Sequence, residues 1–196
     1  MVTAHLYDGR KSLPLDIELY QHASSLPEGK QNSEFAKKPE LALRLIDRNI
    51  ERKYQPGIVI IDAGYGNNTS FLLELEKRQL RYLGGVAKNR KVTVTQKDNI
   101  QQTIRLDELA QSLPQKAFTE IQLNLAQPKT VWVVTKEIEI SQLVGKRTIA
   151  IVMNAATFSL ATDIDYFITN VSLSIVTPKW VVDTYKVRNW VEVFYP

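Results

Sequence analysis

The stretch Gly57-Ile58-Val59-Ile60-Ile61-Asp62-Ala63-Gly64-Tyr65-Gly66 decides the fold. Four aliphatic β-branched residues in succession predict a strand buried on both faces, and Asp62 ends that strand. The polar run from Asn67 to Ser70 offers N-caps to a helix over residues 71–78. A carboxylate at the carboxyl end of a central strand lies where open α/β sheets bind ligands. An ordinary strand end with an Asx-turn would use the same residues.

Both flanks of this segment predict further elements. Upstream, residues 1–7 and 13–20 predict two strands joined by a turn, and a polar loop follows over residues 21–38. Pro39 then begins a helix with one apolar face, formed by Leu41, Leu45, Ile46 and Ile50. Downstream, a helix over 69–79 and a strand over 81–87 complete a β-α-β unit around Asp62.

From Lys91 onward the sequence pattern changes from an α/β unit to short β-rich segments. Short alternating segments predict strands, and one short helix is predicted over residues 106–112. The strand segments are 92–94, 118–125, 130–135, 148–153 and 166–169. We expect a β-rich insertion over residues 91–175, between a core in residues 1–90 and a closing helix in residues 176–196.

The closing helix, predicted over residues 181–195, carries Tyr185, Arg188 and Glu192 at steps of three and four. On a helix these side chains fall within roughly 60° of one another. The opposite side is apolar, with Val187, Trp190, Val191 and Phe194. The polar face can present a metal ligand beside a phosphate-binding group. A surface helix with an ordinary Arg–Glu pair would follow the same pattern.

Composition narrows the chemistry of any site. The 196 residues contain no cysteine and two isolated histidines, His5 and His22. This excludes disulfides and thiolate sites and disfavours a histidine zinc site, so a metal here should be a hard cation held by oxygen.

No apolar run reaches membrane-spanning length and the N-terminus is not typical of a signal peptide. We therefore expect a cytoplasmic protein without a membrane partner, associated with the nucleoid if it binds DNA.

The net charge of +4 permits nucleic-acid binding. Six cations crowd one stretch downstream of Asp62, and they form either a DNA-binding patch or an ordinary solvated surface. They are Lys77, Arg78, Arg81, Lys88, Arg90 and Lys91. We assign Lys88 and Arg90 to DNA binding.

Together these motifs resemble the DDE-type insertion-sequence transposases, the DDE superfamily endonucleases with a ribonuclease-H-like core. Tyr185, Arg188 and Glu192 match the family spacing Tyr-x-x-Arg-x-x-x-Glu. Asp62 in Ile-Asp-Ala-Gly-Tyr-Gly resembles the second catalytic aspartate of the family, and the β-rich block resembles the insertion before the glutamate helix. The resemblance implies an α/β fold with a ribonuclease-H-like mixed sheet.

The resemblance also implies a mechanism. Asp62 and Glu192 would be catalytic and would hold magnesium, with manganese possible, in a site of two ions that cleaves DNA and transfers the strand. Arg188 would bind a DNA phosphate, and Tyr185 would contact the same backbone. DNA is the implied partner, together with a second copy of the chain or a complete transposase.

Two departures from the family pattern change the expected activity. The first family aspartate belongs on a strand upstream of Met1, and the final lysine of the signature belongs beyond Pro196. We expect an internal, truncated piece of a transposase that lacks the first strand and is inactive alone. A DNA-binding or interfering remnant without catalysis is the alternative, and an unrelated phosphotransferase using Asp62 is a third possibility.

Overall fold

The computed structural model describes residues 1–95, 99–123 and 128–188. These residues form strands, α-helices and short 3-10 turns, and none of their helices is long and apolar enough to cross a membrane. The strands are β1 (Val2–Tyr7), β2 (Ser12–Glu18), β3 (Val59–Ile61), β4 (Tyr82–Gly85), β5 (Lys91–Thr95), β6 (Gln101–Arg105), β7 (Thr119–Leu123), β8 (Lys129–Glu139), β9 (Lys146–Met153) and β10 (Ile164–Thr169). The helices are α1 (Lys38–Glu51), α2 (Ala63–Gly66), α3 (Thr69–Lys77), α4 (Leu106–Ser112) and α5 (Pro178–Tyr185).

The chain divides into two compact units, and the first contains Met1–Gly57. Its two strands form the predicted antiparallel hairpin, with Val2 opposite Glu18 and Tyr7 opposite Ser12. The Asp8 carboxylate closes the turn by accepting backbone N–H bonds from Arg10 and Lys11 at 2.8 and 2.7 Å.

Helix α1 packs on this hairpin and confirms the helix predicted at Pro39. Pro39 lies in the first turn, where a missing N–H removes no helical hydrogen bond. Leu41 and Leu45 are buried as predicted, whereas Ile46 and Ile50 are only half-buried. On the hairpin side, Arg48 pairs with Asp16 at 2.9 Å and also with Glu18.

The second unit, Ile58–Lys186, begins with the predicted β-α-β arrangement. Strands β3 and β4 are parallel, with Val59 opposite Tyr82, and α2 and α3 connect them. The Asn68 side chain begins α3 by accepting the N–H of Phe71 at 3.1 Å, which is one of the N-caps that the sequence offered.

The position of β3 corrects one prediction. In the described part of the chain the strand order is β3-β4-β10-β9-β8-β5-β6, with β7 paired to β8, so β3 lies at the end of the sheet and not at its centre. Ile61 is buried, while Ile58, Val59 and Ile60 are half-buried. The prediction of a strand fully buried on both faces was wrong, because in the described residues β3 is the last strand of the sheet and three of the four aliphatic side chains stay partly exposed.

Strands β5 to β10 continue the same sheet. Strand β10 pairs with β4 in antiparallel orientation, with Phe167 opposite Gly85, and β9 and β8 follow in antiparallel order. The α/β class with a mixed sheet is thus confirmed and is consistent with a ribonuclease-H-like fold. Division of the chain at residues 90/91 and 175/176 stays a prediction.

A largely buried ion pair joins α3 to β9 in the second unit. Arg147 donates to both carboxylate oxygens of Glu76, at 2.8 and 2.6 Å, and the Tyr82 hydroxyl donates to the same carboxylate at 2.9 Å. Burial and the adjacent Glu76 charge raise the pKa of Tyr82 well above its ordinary value. The phenol therefore remains a hydrogen-bond donor in the ordinary pH range.

Candidate functional site

Asp62 directly follows β3 and is the N-cap of α2. Its Oδ1 accepts backbone N–H bonds from Gly64 at 2.8 Å and Tyr65 at 3.2 Å. These bonds satisfy two of the N–H groups that a helix leaves without partners at its start, and they fix the rotamer of the carboxylate. Asp62 thus occupies the predicted end of the strand, and its side chain forms an Asx-turn that caps α2.

Helix α2 is held in place by glycines that pack backbone against backbone. A Cβ atom on Gly66 would lie 2.0 Å from the carbonyl oxygen of Gly85, and one on Gly85 would lie 3.2 Å from the backbone nitrogen of Ala63. Only hydrogen side chains allow this close approach of α2 to β4. Two consecutive glycines within a buried strand were the available signal for such a contact, and the sequence prediction missed it.

Tyr185 ends α5, and its placement corrects the predicted face of the closing helix. Its ring packs on Phe167 with centroids 4.3 Å apart and joins the apolar cluster around Leu83 and Val181. Its hydroxyl lies 3.4 Å from the point that a Cβ on Gly85 would occupy, and the backbone nitrogen of Ala63 lies 3.2 Å from the same point. Tyr185 therefore belongs to the packed side of α5 and meets the Asp62 turn at Gly85.

The α-helix ends at Tyr185, so the regular helical spacing predicted between Tyr185 and Arg188 is not observed. Lys186–Arg188 form a 3-10 turn, in which each residue turns by about 120° instead of 100°. Arg188 lies at the end of this turn. Glu192 lies outside the described residues, so its role as catalytic residue and metal ligand stays a prediction.

Arg90 and Lys88 differ in their surroundings. Arg90 is half-buried, and its guanidinium donates through Nη1 to the backbone oxygen of Asn67 at 2.6 Å and through Nη2 to Oγ1 of Thr69 at 2.7 Å. Burial lowers the pKa of the Arg90 guanidinium from its ordinary value. Lys88 has an exposed side chain, and its backbone oxygen accepts the N–H of Asp107 at 2.9 Å.

The stretch of six cations is partly neutralised within the fold. Glu74 pairs with Lys77 at 2.6 Å and with Arg78 at 2.7 Å, and these two pairs lower the pKa of Glu74 below its ordinary value. Arg90 is held as described above. Lys77 stays exposed in spite of its pair, and Arg81, Lys88 and Lys91 are exposed as well, so four of the six cations face solvent.

Asn67 also belongs to the site, although the sequence predicted it only as a possible helix N-cap. Its Nδ2 donates to the oxygen of Ala63 at 2.7 Å, and its Oδ1 accepts the N–H of Ala87 at 2.9 Å. Asn67 therefore joins the turn after β3 to the loop after β4. No local signal indicates this contact because its partner lies 20 residues away.

The candidate metal chemistry rests on carboxylate oxygen, which suits a hard divalent cation. Asp62 supplies one such group. Across residues 1–95, 99–123 and 128–188 no group of three or more His, Cys, Asp or Glu side chains gathers in a geometry that could hold a metal ion. A set of three such side chains around an ion at Asp62 would therefore have to include a residue outside these ranges.

Comparison with known proteins identifies the family. The family profile described as DDE superfamily endonuclease matches residues 1–139, which is more than half of the chain and includes Asp62, Lys88 and Arg90. The match ends before Tyr185. No curated protein matches the sequence. With its mixed α/β sheet and a profile match over most of its length, the chain belongs to the DDE superfamily endonucleases.

Proposed function

We propose that this chain carries part of the catalytic region of a DNA transposase, with Asp62 as one of its metal ligands. The family as a whole consists of nucleases and transposases that act on DNA and generally use divalent metal ions. One observation carries the assignment to Asp62. This carboxylate lies at the end of a strand within the matched segment, and two backbone N–H bonds hold it in one orientation.

Magnesium or manganese, bound as a pair, would activate the attacking water or 3′-hydroxyl and stabilise the leaving oxygen. The chain's own residues orient the reacting groups. Asp62 would hold an ion through carboxylate oxygen, and Glu192 is the second carboxylate in the proposal. The Arg188 guanidinium suits bidentate binding of a DNA phosphate. The Tyr185 hydroxyl, which lies beside the Asp62 turn, would donate a hydrogen bond to the same DNA backbone.

We expect the 196-residue polypeptide to have little or no nuclease activity by itself. Asp62 and Glu192 are the two carboxylates that the proposal provides, and a pair of ions needs more ligands than these. Strand cleavage and strand transfer would then need further carboxylates from a second copy or a complete transposase. In the cytoplasm the chain would reach DNA directly and could associate with the nucleoid.

A DNA-binding protein that interferes with transposition remains the second candidate. The exposed Lys88 favours it, because a solvated cation near the Asp62 turn can contact phosphate without any metal. Lys77 and Arg78 are paired with Glu74, and Arg90 is bonded within the fold, so these contacts reduce the charge available for such binding.

The test combines DNA binding, nicking and metal binding in three proteins: wild type, Asp62→Asn and Lys88→Ala. We expect salt-dependent DNA binding that weakens in Lys88→Ala, and weak or absent nicking of supercoiled DNA with Mg²⁺ or Mn²⁺. We also expect Mn²⁺ binding, measured by electron paramagnetic resonance, that weakens in Asp62→Asn. Equal Mn²⁺ affinity of wild type and Asp62→Asn would refute the metal role of Asp62. Strong nicking that disappears in Asp62→Asn would contradict the expected inactivity.

A further inference from the structure

We propose that Arg90 is a positioning residue, which holds the turn that orients Asp62, and that it does not bind DNA. This inference rests on the proposed role of Asp62 as a metal ligand. It assigns to Arg90 a function different from that of the exposed Lys88, although both cations lie in the same basic stretch.

The contacts of Arg90 converge on the junction of α2 and α3. The oxygen of Asn67, which follows the last residue of α2, accepts from Nη1 at 2.6 Å. The hydroxyl of Thr69, the first residue of α3, accepts from Nη2 at 2.7 Å. A guanidinium has a rigid fork of donors, so two such bonds fix the spacing of their acceptors. Arg90 thereby fixes the end of one helix relative to the start of the next.

Asn67 extends this contact to the residue beside Asp62. Its side chain donates to the Ala63 oxygen at 2.7 Å and accepts from the Ala87 N–H at 2.9 Å. Arg90 is joined to Ala87 as well, through its own backbone N–H at 2.9 Å. The turn after β3 and the loop after β4 are therefore connected by a closed set of hydrogen bonds.

Helix α2 depends on these external contacts because it is only four residues long. A single helical turn is unstable in isolation, since it orders several residues for very few hydrogen bonds. The Asp62 carboxylate takes its orientation from the N–H groups of Gly64 and Tyr65, which point toward it only while α2 is folded. The contacts of Arg90 thus act on Asp62 through α2.

The same geometry disfavours a phosphate contact by Arg90. Its side chain is half-buried, and two of its five N–H donors are bonded to protein acceptors. A phosphate contact would therefore cost further burial of the guanidinium or the loss of one of those bonds. Lys88, two residues earlier, has an exposed side chain and can contact phosphate at no such cost. Lys88→Ala is therefore the matched control for variants of Arg90.

The test uses Arg90→Met, Thr69→Val and Thr69→Ser in the full 196-residue chain. Arg90→Met keeps the length of the side chain and removes its donors. Thr69→Val removes one acceptor, and Thr69→Ser restores it. Hydrogen–deuterium exchange of the amides of residues 64–68 reports on α2, and NMR spectra verify the fold elsewhere. Broadening of the Gly64 and Tyr65 amide signals by Mn²⁺ reports metal binding at Asp62, and the salt dependence of DNA binding reports phosphate contacts.

In Arg90→Met we expect exchange over residues 64–68 to quicken about tenfold or more, as after loss of a hydrogen bond to a charged group. We expect the Mn²⁺ dissociation constant to rise about tenfold, which is the usual effect of losing a group that orients a metal ligand. Thr69→Val should follow in the same direction, and Thr69→Ser should resemble wild type. Only Lys88→Ala should lower the salt slope of DNA binding, by about one unit.

Several results would overturn the inference. An Arg90→Met protein with wild-type exchange and a reduced salt slope would make Arg90 a phosphate ligand. Faster exchange with unchanged Mn²⁺ affinity would make its role structural only. If Arg90→Met does not fold, Thr69→Val and Thr69→Ser decide the same questions. Absence of Mn²⁺ broadening in the wild type would instead refute the proposed function of Asp62, and the role of Arg90 toward it.

Discussion

Replacing Gly66 with alanine should destabilise the protein, although Gly66 lies in a helix. Its backbone is not in the left-handed region, so helix propensity alone predicts a gain of about 1 kcal/mol. The new Cβ would however lie 2.0 Å from the Gly85 oxygen, whereas real Cβ contacts essentially never fall below 3.0 Å. Helix α2 and strand β4 would have to separate by about 1 Å. Because the obstacle is buried backbone, no side chain can move aside.

Overpacking of this kind costs about 1–3 kcal/mol. The upper end of this range applies because the 2.0 Å contact is with backbone, so after subtraction of the helical gain we expect the free energy of unfolding to fall by about 2 kcal/mol. Urea unfolding measures this change, provided that the slope of the unfolding free energy against urea concentration is the same in both proteins. Gly57→Ala is the matched control, because nothing lies within 4 Å of its Cβ. Its expected effect is neutral or stabilising by less than about 1 kcal/mol.

Gly84→Ala should fall between these two variants. Its Cβ would lie 2.6 Å from Cγ1 of Ile61, a side-chain atom that can shift more easily than backbone. The expected order of stability is Gly57→Ala, then Gly84→Ala, then Gly66→Ala. A Gly66→Ala protein as stable as Gly57→Ala would refute the close packing of α2 on β4, and with it the orientation of Asp62 described above.

Three further predictions concern stability. Arg147→Met should lower the free energy of unfolding by about 3 kcal/mol, because it leaves the Glu76 carboxylate largely buried without its cation. Urea unfolding measures this loss. The double variant Arg147→Met with Glu76→Leu should recover much of the lost stability. Gln79 has φ of 57° after α3, so Gln79→Gly should raise the free energy of unfolding by about 0.5–1 kcal/mol, and an unchanged urea midpoint would contradict this. Burial raises the pKa of the Asp16 carboxyl, but bonds from Arg48 and the backbone outweigh it, so the folded pKa lies below its ordinary value. The stabilisation by Asp16 is therefore present above about pH 4 and lost as pH falls, so Asp16→Asn should cost about 0.5–1 kcal/mol at pH 7 and almost nothing near pH 2 in urea titrations.

Local signals in the sequence were sufficient for the elements around Asp62. The strand, the N-cap and the helix after it were predicted from adjacent residues, and Asn68 caps α3 as the polar run indicated. Strand β6 was missed because Gln101, Gln102 and Thr103 show no apolar alternation. Its partner is β5, with Lys91 opposite Arg105, and such pairing is a property of two segments and not of one.

Longer-range facts were beyond any local pattern. The aliphatic run in β3 indicates a strand but not its place in the sheet, and the edge position follows from which strands pair elsewhere. A basic stretch likewise indicates positive charge, but it does not indicate which side chains face solvent and which bond within the fold. Arg90 and Lys88 are indistinguishable in the sequence, yet Arg90 reaches acceptors 21 and 23 residues away while Lys88 remains exposed.

The β-rich block also explains how Tyr185 reaches the Asp62 turn. Strand β10 pairs with β4 so that Phe167 lies opposite Gly85, and the Tyr185 ring packs on Phe167. The Tyr185 hydroxyl and the Ala63 nitrogen then approach Gly85 from the space where a side chain would stand. Ala63 and Tyr185, more than 100 residues apart in the sequence, thus meet at one glycine. A sheet that ended at β4 would leave α5 without Phe167 to pack on, so β10 is needed to bring Tyr185 to the Asp62 turn.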